Sequence, residues 1–309
     1  MAQRYSLALI LYVMLKEGME AWDIFINSFR DYGNYLFQEI SAPSWHNYFY
    51  WLIGISVFFF LLELFFPWRK NQPRIRADFW MDGFYMFFNF FIFSLIGFYA
   101  VSNVFVYGFN NLLSLFGIKN LAAIHINSWP VPMQLLTLFV VRDFIHWNVH
   151  RLLHRVPFLW EFHKVHHSVK QMGFASHLRY HWMENVVYRT LEYIPLGMIG
   201  FGIQEFFLVH IIALSIGHFN HSNINVKLGW FKYIFNNPQM HTWHHAKQWP
   251  DKFQYGVNFG ISLSVWDFIF GTAYVTKNVD QIELGFHGDE RFPKSFWKQI
   301  QHGFGLKRR

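Results

Sequence analysis

The chain has 309 residues, of which 53% are hydrophobic, 22% aromatic and only 15% charged, and it carries a net charge of +7. An average soluble domain carries about 25% charged residues, and a soluble core of this size does not hide thirty-nine phenylalanines, so the composition predicts an integral membrane portion joined to a polar one. The basic residues lie beside apolar stretches, as the positive-inside rule expects, rather than in a nucleic-acid-binding motif, and the absence of cysteine excludes disulfides, thiolate metal sites, iron–sulfur clusters and cysteine nucleophiles.

Residues 1–46 read as an N-terminal amphipathic segment on the membrane surface. The short apolar run Leu7 to Leu15 is followed by Lys16-Glu17-Gly18 and by no small-residue cleavage site. A retained helix is expected there rather than a removed signal, continuing amphipathically through Trp22 to Phe37. Residues 47–141 are expected to hold transmembrane helices. The first span, Tyr48 to Phe66, is long enough to cross a hydrocarbon core. Pro67 stops it, and the basic loop from Trp68 to Arg76 is expected on the cytoplasmic side. A second span runs from about Phe84 to Tyr107, and the loop after it, to Pro130, holds one Lys and no Arg. The third span starts near Pro132, passes Val141 and continues into Arg142-Asp143, so a helix leaves the bilayer with histidines at its exit.

Residues 142–275 form the expected catalytic portion. They include a transmembrane hairpin at about 186–217, punctuated by Pro195, Gly197, Gly200 and Gly202. Residues 276–309 are a basic cytoplasmic tail ending Lys307-Arg308-Arg309. The fold expected is an all-α integral membrane bundle of about four transmembrane helices, with a cytoplasmic helical cap that carries a histidine-rich dimetal site.

Most of the eighteen histidines fall in that catalytic portion. Three clusters stand out: His150-x-x-x-His154, His163-x-x-His166-His167 and His241-x-x-His244-His245. Spacings of three and four put imidazoles on one helix face, and imidazole is the commonest protein metal ligand. Eight such ligands are too many for one ion and suit two. The isolated His46, His125, His177, His210, His287 and His302 read as ordinary polar residues. Glu-x-x-His pairs of a carboxylate di-iron bundle and the H-E-x-x-H of a metalloprotease are missing from the histidine-rich region. Zinc alone is not redox active.

The run from Asp143 through His150, His154 and His163 to Ser168 resembles the signature of the fatty acid hydroxylase superfamily, also called the sterol desaturase family. Leu178-Arg179-Tyr180-His181 with Glu184, then Asn220-His221-Ser222-Asn223, resemble its next elements in order. Met240 to His245, Asn258-Phe259-Gly260 and Trp266-Asp267-Phe268-Ile269-Phe270-Gly271-Thr272 resemble its closing signature.

The resemblance implies a membrane di-iron oxygenase that hydroxylates or desaturates a lipid such as a fatty acyl chain, sterol or alkylglycerol. It would use O2 as co-substrate and an external electron donor of ferredoxin or cytochrome b5 type, since no flavin or dinucleotide motif is present. It implies His150, His154, His163, His166, His167, His241, His244 and His245 as core ligands of two iron ions, with His181 and His221 as further ligands. Zinc or nickel can replace the iron on purification. His218 faces the same way as His221. His146 takes a place that is often aromatic in the family, which suggests an orienting role. Asp143, Glu184 and Asp267, with Asn223 and Asn258, are expected to orient imidazoles through their free N–H. Arg179 is expected to pair with a lipid head group or with Glu184. The active site is expected on the cytoplasmic side, with the bilayer and a lipid as partners and no nucleic acid. The rival readings are a non-enzymatic membrane protein that binds metal or haem through histidines, and a zinc hydrolase on the same scaffold.

Overall fold

The computed structural model describes residues 7–93, 104, 107–108, 111–117, 126–193, 196, 199–201, 203–276 and 282–304. Most of the expected second span after Phe93 lies outside them. So do His125, Pro195, Gly197 and Gly202, and the basic end Lys307 to Arg309. Among the described residues the regular structure is helical, with isolated bridges and no strand. The chain divides into two compact units, Met1–Ser44 with Phe90–Leu121, and Trp45–Asn89 with Ala122–Arg309.

In the first unit, α1 (Leu7–Ser41) is one continuous helix of 35 residues. It joins the apolar run and the amphipathic stretch without a break, because no proline interrupts them. Trp22 and Phe37 are exposed on it. The Tyr32 hydroxyl donates to the Phe90 carbonyl at 3.1 Å, and the Tyr107 hydroxyl donates to Glu20.

The second unit begins with α2 (Tyr48–Phe65). Among the described residues it is the one helix long and apolar enough to cross a membrane. Leu52, Ser56 and Phe59 are buried on it at helical spacing, while Val57, Phe58 and Leu61 on the other side are exposed. No described part of the other expected spans forms a helix of that kind. α3 (Phe79–Phe87) gives way to a π turn at Phe88–Ile92. α4 (Val131–Arg155) is apolar only in its first half and then carries Arg142, Asp143 and the first histidine pair. Over the stretch of the expected hairpin the described residues form α6 (Trp182–Tyr188), a π turn at Arg189–Tyr193 and α7 (Ile203–His221). Ligand-bearing ends and buried ion pairs dilute the hydropathy of these segments.

The break between α4 and α5 (Pro157–His167) has a simple cause. The ring of Pro157 disfavours the helical region for Val156, which adopts φ −91°, ψ 113°. The fixed φ of Pro157 then opens the next helix at its first position. The chain therefore turns between His154 and His163 and the two histidine faces meet. α8 (Pro238–His244) starts on Asn237, whose side chain accepts from the Gln239 and Met240 amides at 3.0 and 3.1 Å. Two short helices, α9 (Val265–Ile269) and α10 (Phe296–Gln299), follow.

α7 packs against α2, α4, α8 and the 3-10 turn Phe174–Leu178. Leu138, Leu196, Phe201 and Val209 form one buried cluster and Phe59, Phe174, Ala175 and Ile224 another. Each large side chain in them contributes about 1.5–3 kcal/mol of transfer free energy. A buried ionic network adds specificity: the Arg179 guanidinium pairs with Asp78 at 2.8 Å and Asp82 at 3.2 Å, and Asp82 also pairs with Arg76. Arg179 thus turns to these aspartates rather than to Glu184 or a head group.

Candidate metal centre

α4 presents His150 and His154, α5 presents His163, His166 and His167, α7 ends on His221, and α8 with its C-cap presents His241, His244 and His245. All nine are buried. They converge in two groups, each with its ligand nitrogens within 4.8 Å of one another: His150, His154, His163, His167 and His244 in one, and His166, His221, His241 and His245 in the other. The groups adjoin, since the rings of His167 and His245 stack with centroids 4.4 Å apart.

Six of the nine rings give Nδ1 to a protein acceptor. His150 donates to the Phe259 carbonyl at 2.7 Å, His244 to Val257 at 2.8 Å and His154 to Tyr255 at 3.1 Å. His166 donates to the Arg179 carbonyl at 3.0 Å and His221 to Gly217 at 2.8 Å. His163 meets Glu184 at 2.8 Å. A carbonyl only accepts, so those Nδ1 atoms carry the proton, and a neutral ring then has its lone pair on Nε2. These lone pairs face each other. The Nε2 atoms of His221 and His166 are 3.3 Å apart, and those of His150 and His163 are 3.1 Å apart. The Nε2 atoms of His154 and His244, and both nitrogens of His167, are buried without a hydrogen-bond partner.

Facing lone pairs repel unless a donor or a cation lies between them. Protons are disfavoured, because burial pushes the His154 ring down to about 3 and His166 to about 4, and holds the others well below the usual range. Metal cations fit: the donor set is neutral imidazole with orphaned nitrogens, which suits iron, zinc, copper or nickel. Burial also raises the Glu184 carboxyl to about 8. A dication held by His163 would favour the carboxylate instead.

The remaining expected residues are placed differently. His181 is in neither group: its Nε2 donates to the Ile300 carbonyl at 2.8 Å and its Nδ1 accepts from the Met183 amide at 3.1 Å, so both nitrogens are in use. His146 bonds Glu192 at 3.3 Å and stacks on Tyr188, not on a ligand. Of the polar residues expected to touch imidazoles, only Glu184 does so. Asp143 accepts from the Ser262 and Leu263 amides and the Trp266 indole. Asp267 accepts from the Phe259 and Gly260 amides and the Trp147 indole. Asn223 accepts from the Arg69 amide at 2.9 Å. Of these, Asp267 bears on a ring indirectly: it holds the amide of Phe259, whose carbonyl holds His150.

In the loop Tyr255–Phe259 the sequence marked Asn258 and Phe259 but not the backbone carbonyls. Alternate residues in it supply the carbonyls that fix His154, His244 and His150. Asn258, at φ +54°, ties it to α8 by donating to the Met240 carbonyl at 2.9 Å. Gly260 is required by close approach, since a Cβ there would lie 2.4 Å from the Leu263 carbonyl oxygen. The Asn258-Phe259-Gly260 motif was the available signal. His177, read as an ordinary residue, is 2.9 Å from His218 between their Nδ1 atoms, and His218 reaches the Ser56 hydroxyl at 3.1 Å. Both lie beside His221 and outside the two groups.

Residues 135–272 match the family model described as fatty acid hydroxylase. This part of the chain belongs to the fatty acid hydroxylase superfamily. The chain is 29% identical over 183 residues to an ornithine lipid hydroxylase of Rhizobium tropici, covering 59% of this chain and 54% of that protein. It is 28% identical over 146 residues to the alkylglycerol monooxygenase of Homo sapiens, covering 47% of this chain and 31% of that protein. A very-long-chain aldehyde decarbonylase of Oryza sativa subsp. japonica is 25% identical, with 45% of this chain and 46% of that protein covered. The chain therefore spans about half or less of these relatives' lengths. No solved structure is significantly similar. All nine converging histidines fall inside the fatty acid hydroxylase match.

Proposed function

We propose that this protein is a membrane-bound non-haem di-iron oxygenase that hydroxylates or desaturates a lipid, with O2 as co-substrate and electrons from an external donor. The observation that carries this reading is the facing of deprotonated Nε2 atoms in two adjoining, buried, all-histidine groups. His150, His154, His163, His167 and His244 would hold one ion, and His166, His221, His241 and His245 the other. Two iron ions held there supply O2 activation for attack on an unactivated C–H bond.

The chain's own part is orientation and exclusion of water. Backbone carbonyls hold the Nδ1 protons of five ligands, and Glu184 takes that of His163. The rings of Phe259 and Trp160 lie against ligand imidazoles, with Trp160 4.9 Å from His154 and 5.3 Å from His167. Apolar walls of this kind keep water from competing at the ions. The substrate class follows from the relatives, two of which are named for an ornithine lipid and for alkylglycerol. α2 and the apolar half of α4 support a bilayer setting, with the metal centre at the cytoplasmic end of α4.

The test compares lipid extracts of a host with and without the chain, in air and without O2. A new lipid heavier by one oxygen atom supports hydroxylation, and one lighter by two hydrogens supports desaturation. An unchanged lipid profile, or a product that forms without O2, counts against the oxygenase and in favour of a zinc hydrolase or a binding protein. Purified protein should hold about two iron ions per chain and show no Soret band. His166→Ala should abolish turnover and lower metal content; full activity would remove His166 from the site.

A further inference from the structure

Between Asn223 and Asn237 the sequence holds Lys227 and Lys232 and no acidic residue. In its middle the 3-10 turn Gly229–Tyr233 buries none of its five residues. Trp230 is 62% exposed and Tyr233 51%, and Phe231 and Ile234 are exposed with them. The neighbouring α9 adds Ile269 at 63% and, just after it, Phe270.

This apolar surface is tied to its neighbours. The Ser264 hydroxyl donates to the Lys232 carbonyl at 2.6 Å and the Ser264 amide to Ile234 at 2.9 Å. Phe235 bridges Leu263, the Tyr233 ring meets Phe268 at 4.9 Å, and Trp230 stacks on Phe231 at 3.9 Å. The side chains are thus held outward by a built scaffold, with no core to fill. A patch of exposed apolar side chains grouped in this way, with a polar rim, marks contact with a partner or a membrane.

Its height on the molecule names that partner. Phe270 lies against Phe144 and Trp147 of α4, and Trp266 against Phe144. Phe144 is three residues beyond Val141, where the apolar half of α4 ends. At 1.5 Å per residue that is a rise of about 4.5 Å, within a head-group layer roughly 5–7 Å deep on each side of a bilayer. Trp and Tyr favour that layer, and lysines there meet lipid phosphates. The Lys232 ammonium lies over the Tyr233 ring at 5.2 Å, so the aromatic surface and a cation already meet there.

We propose that Trp230, Phe231, Tyr233, Ile234, Ile269 and Phe270, rimmed by Lys227 and Lys232, form a shoulder that seats the catalytic unit in an anionic lipid surface. The proposal rests on the membrane setting of the proposed function, and its test separates the two. Because the chain has no cysteine, Phe231→Cys gives a unique thiol for an environment-sensitive fluorophore. Phe58→Cys, on the exposed face of α2, and Lys252→Cys, on the exposed surface, serve as references.

Each full-length variant is reconstituted in phosphatidylcholine vesicles with and without phosphatidylglycerol. Quenching is read with nitroxides at head-group level or mid-chain on the lipid, and with aqueous iodide. The label at 231 should be quenched by the head-group nitroxide and shielded from iodide, that at 58 by the mid-chain nitroxide, and that at 252 by iodide. A label at 231 that iodide reaches while 58 stays shielded overturns the shoulder and leaves the membrane setting standing, as it would if this face docked a soluble protein. Iodide access at 58 overturns both. Adding Lys227→Glu and Lys232→Glu should lower head-group quenching at 231 several-fold in anionic vesicles only. Equal quenching in both vesicle types, with and without those changes, overturns the preference for an anionic surface.

Discussion

Six of the nine converging rings are fixed by a partner that holds Nδ1, which leaves Nε2 to face the neighbouring rings. Glu184 is the one acid among these partners, at His163. Partners of this kind typically shift metal affinity by about 10- to 100-fold. Glu184→Gln, which keeps an acceptor but loses the charge, is expected near the lower end of that range. Glu184→Ala is expected near the upper end, both measured by chelator competition. His181 makes the contrast. Its two nitrogens are engaged by Ile300 and Met183, so His181→Gln should cost stability, by about 1 kcal/mol per lost hydrogen bond, and leave metal content unchanged. A matching loss of metal would put His181 back among the ligands that the family resemblance implied. The spacing of His150 and His154, or of His163, His166 and His167, was legible because helix periodicity converts it into a shared face. The isolation of His181 was not, since it depends on Ile300, which is distant in sequence.

Among the elements, the loop Tyr255–Phe259 and the end of α7 govern the site without supplying all its ligands. Asn258 adopts a left-handed backbone that costs most residues roughly 1–2 kcal/mol and that Gly adopts freely. It also makes buried side-chain bonds to Met240 and Tyr274. Asn258→Gly should lose only the bonds, whereas Asn258→Ala should lose the bonds and gain strain. Ala should therefore be the less stable of the two by about 1 kcal/mol, read as the difference in denaturation midpoint. On α7, a Cβ at Gly217 would lie 2.1 Å from the His177 ring, and the Gly217 carbonyl holds His221. Gly217→Ala is expected to destabilise by about 1–3 kcal/mol through overpacking and to lower occupancy of the four-histidine group. Thermal unfolding and metal analysis check the two effects separately. The sequence marked Asn258-Phe259-Gly260 as a motif, but a backbone carbonyl has no letter of its own, so its acceptor role stayed hidden.

At the scale of the molecule, a core of buried neutral histidines makes the metal-free protein acid-sensitive. Their folded pKa values lie below the unfolded value of about 6.5, at about 3 for His154 and about 4 for His166. The stability that they contribute is complete above pH 6.5 and is lost as pH falls towards those folded values, by up to about 1.4 kcal/mol per pH unit for each imidazole. Glu184, raised to about 8, works in the opposite direction between about 4.5 and 8, as do Asp82, Asp143 and Asp267, which burial also raises, but the lowered imidazoles outnumber these carboxyls. Metal-stripped protein should therefore unfold at a lower temperature at about pH 5.5 than at about pH 7.5, and metal-loaded protein should fall less until acid strips it. A midpoint that rises on acidification would contradict the neutral-histidine core.

The sequence by itself determined that this is a helical, aromatic-rich chain with a fatty acid hydroxylase signature and imidazoles on helix faces, because periodicity and composition act locally. The break at Pro157 is equally local, since its ring acts on its immediate neighbour, but no reading of the motifs marked it. Only the tertiary structure decided that nine histidines, not ten, converge in groups of five and four, that His218 pairs with His177 and Ser56, and that Arg179 turns to Asp78 and Asp82. The physical reason is that a ring nitrogen takes whichever partner the packing brings within about 3 Å, and that partner often lies a hundred residues away in the chain.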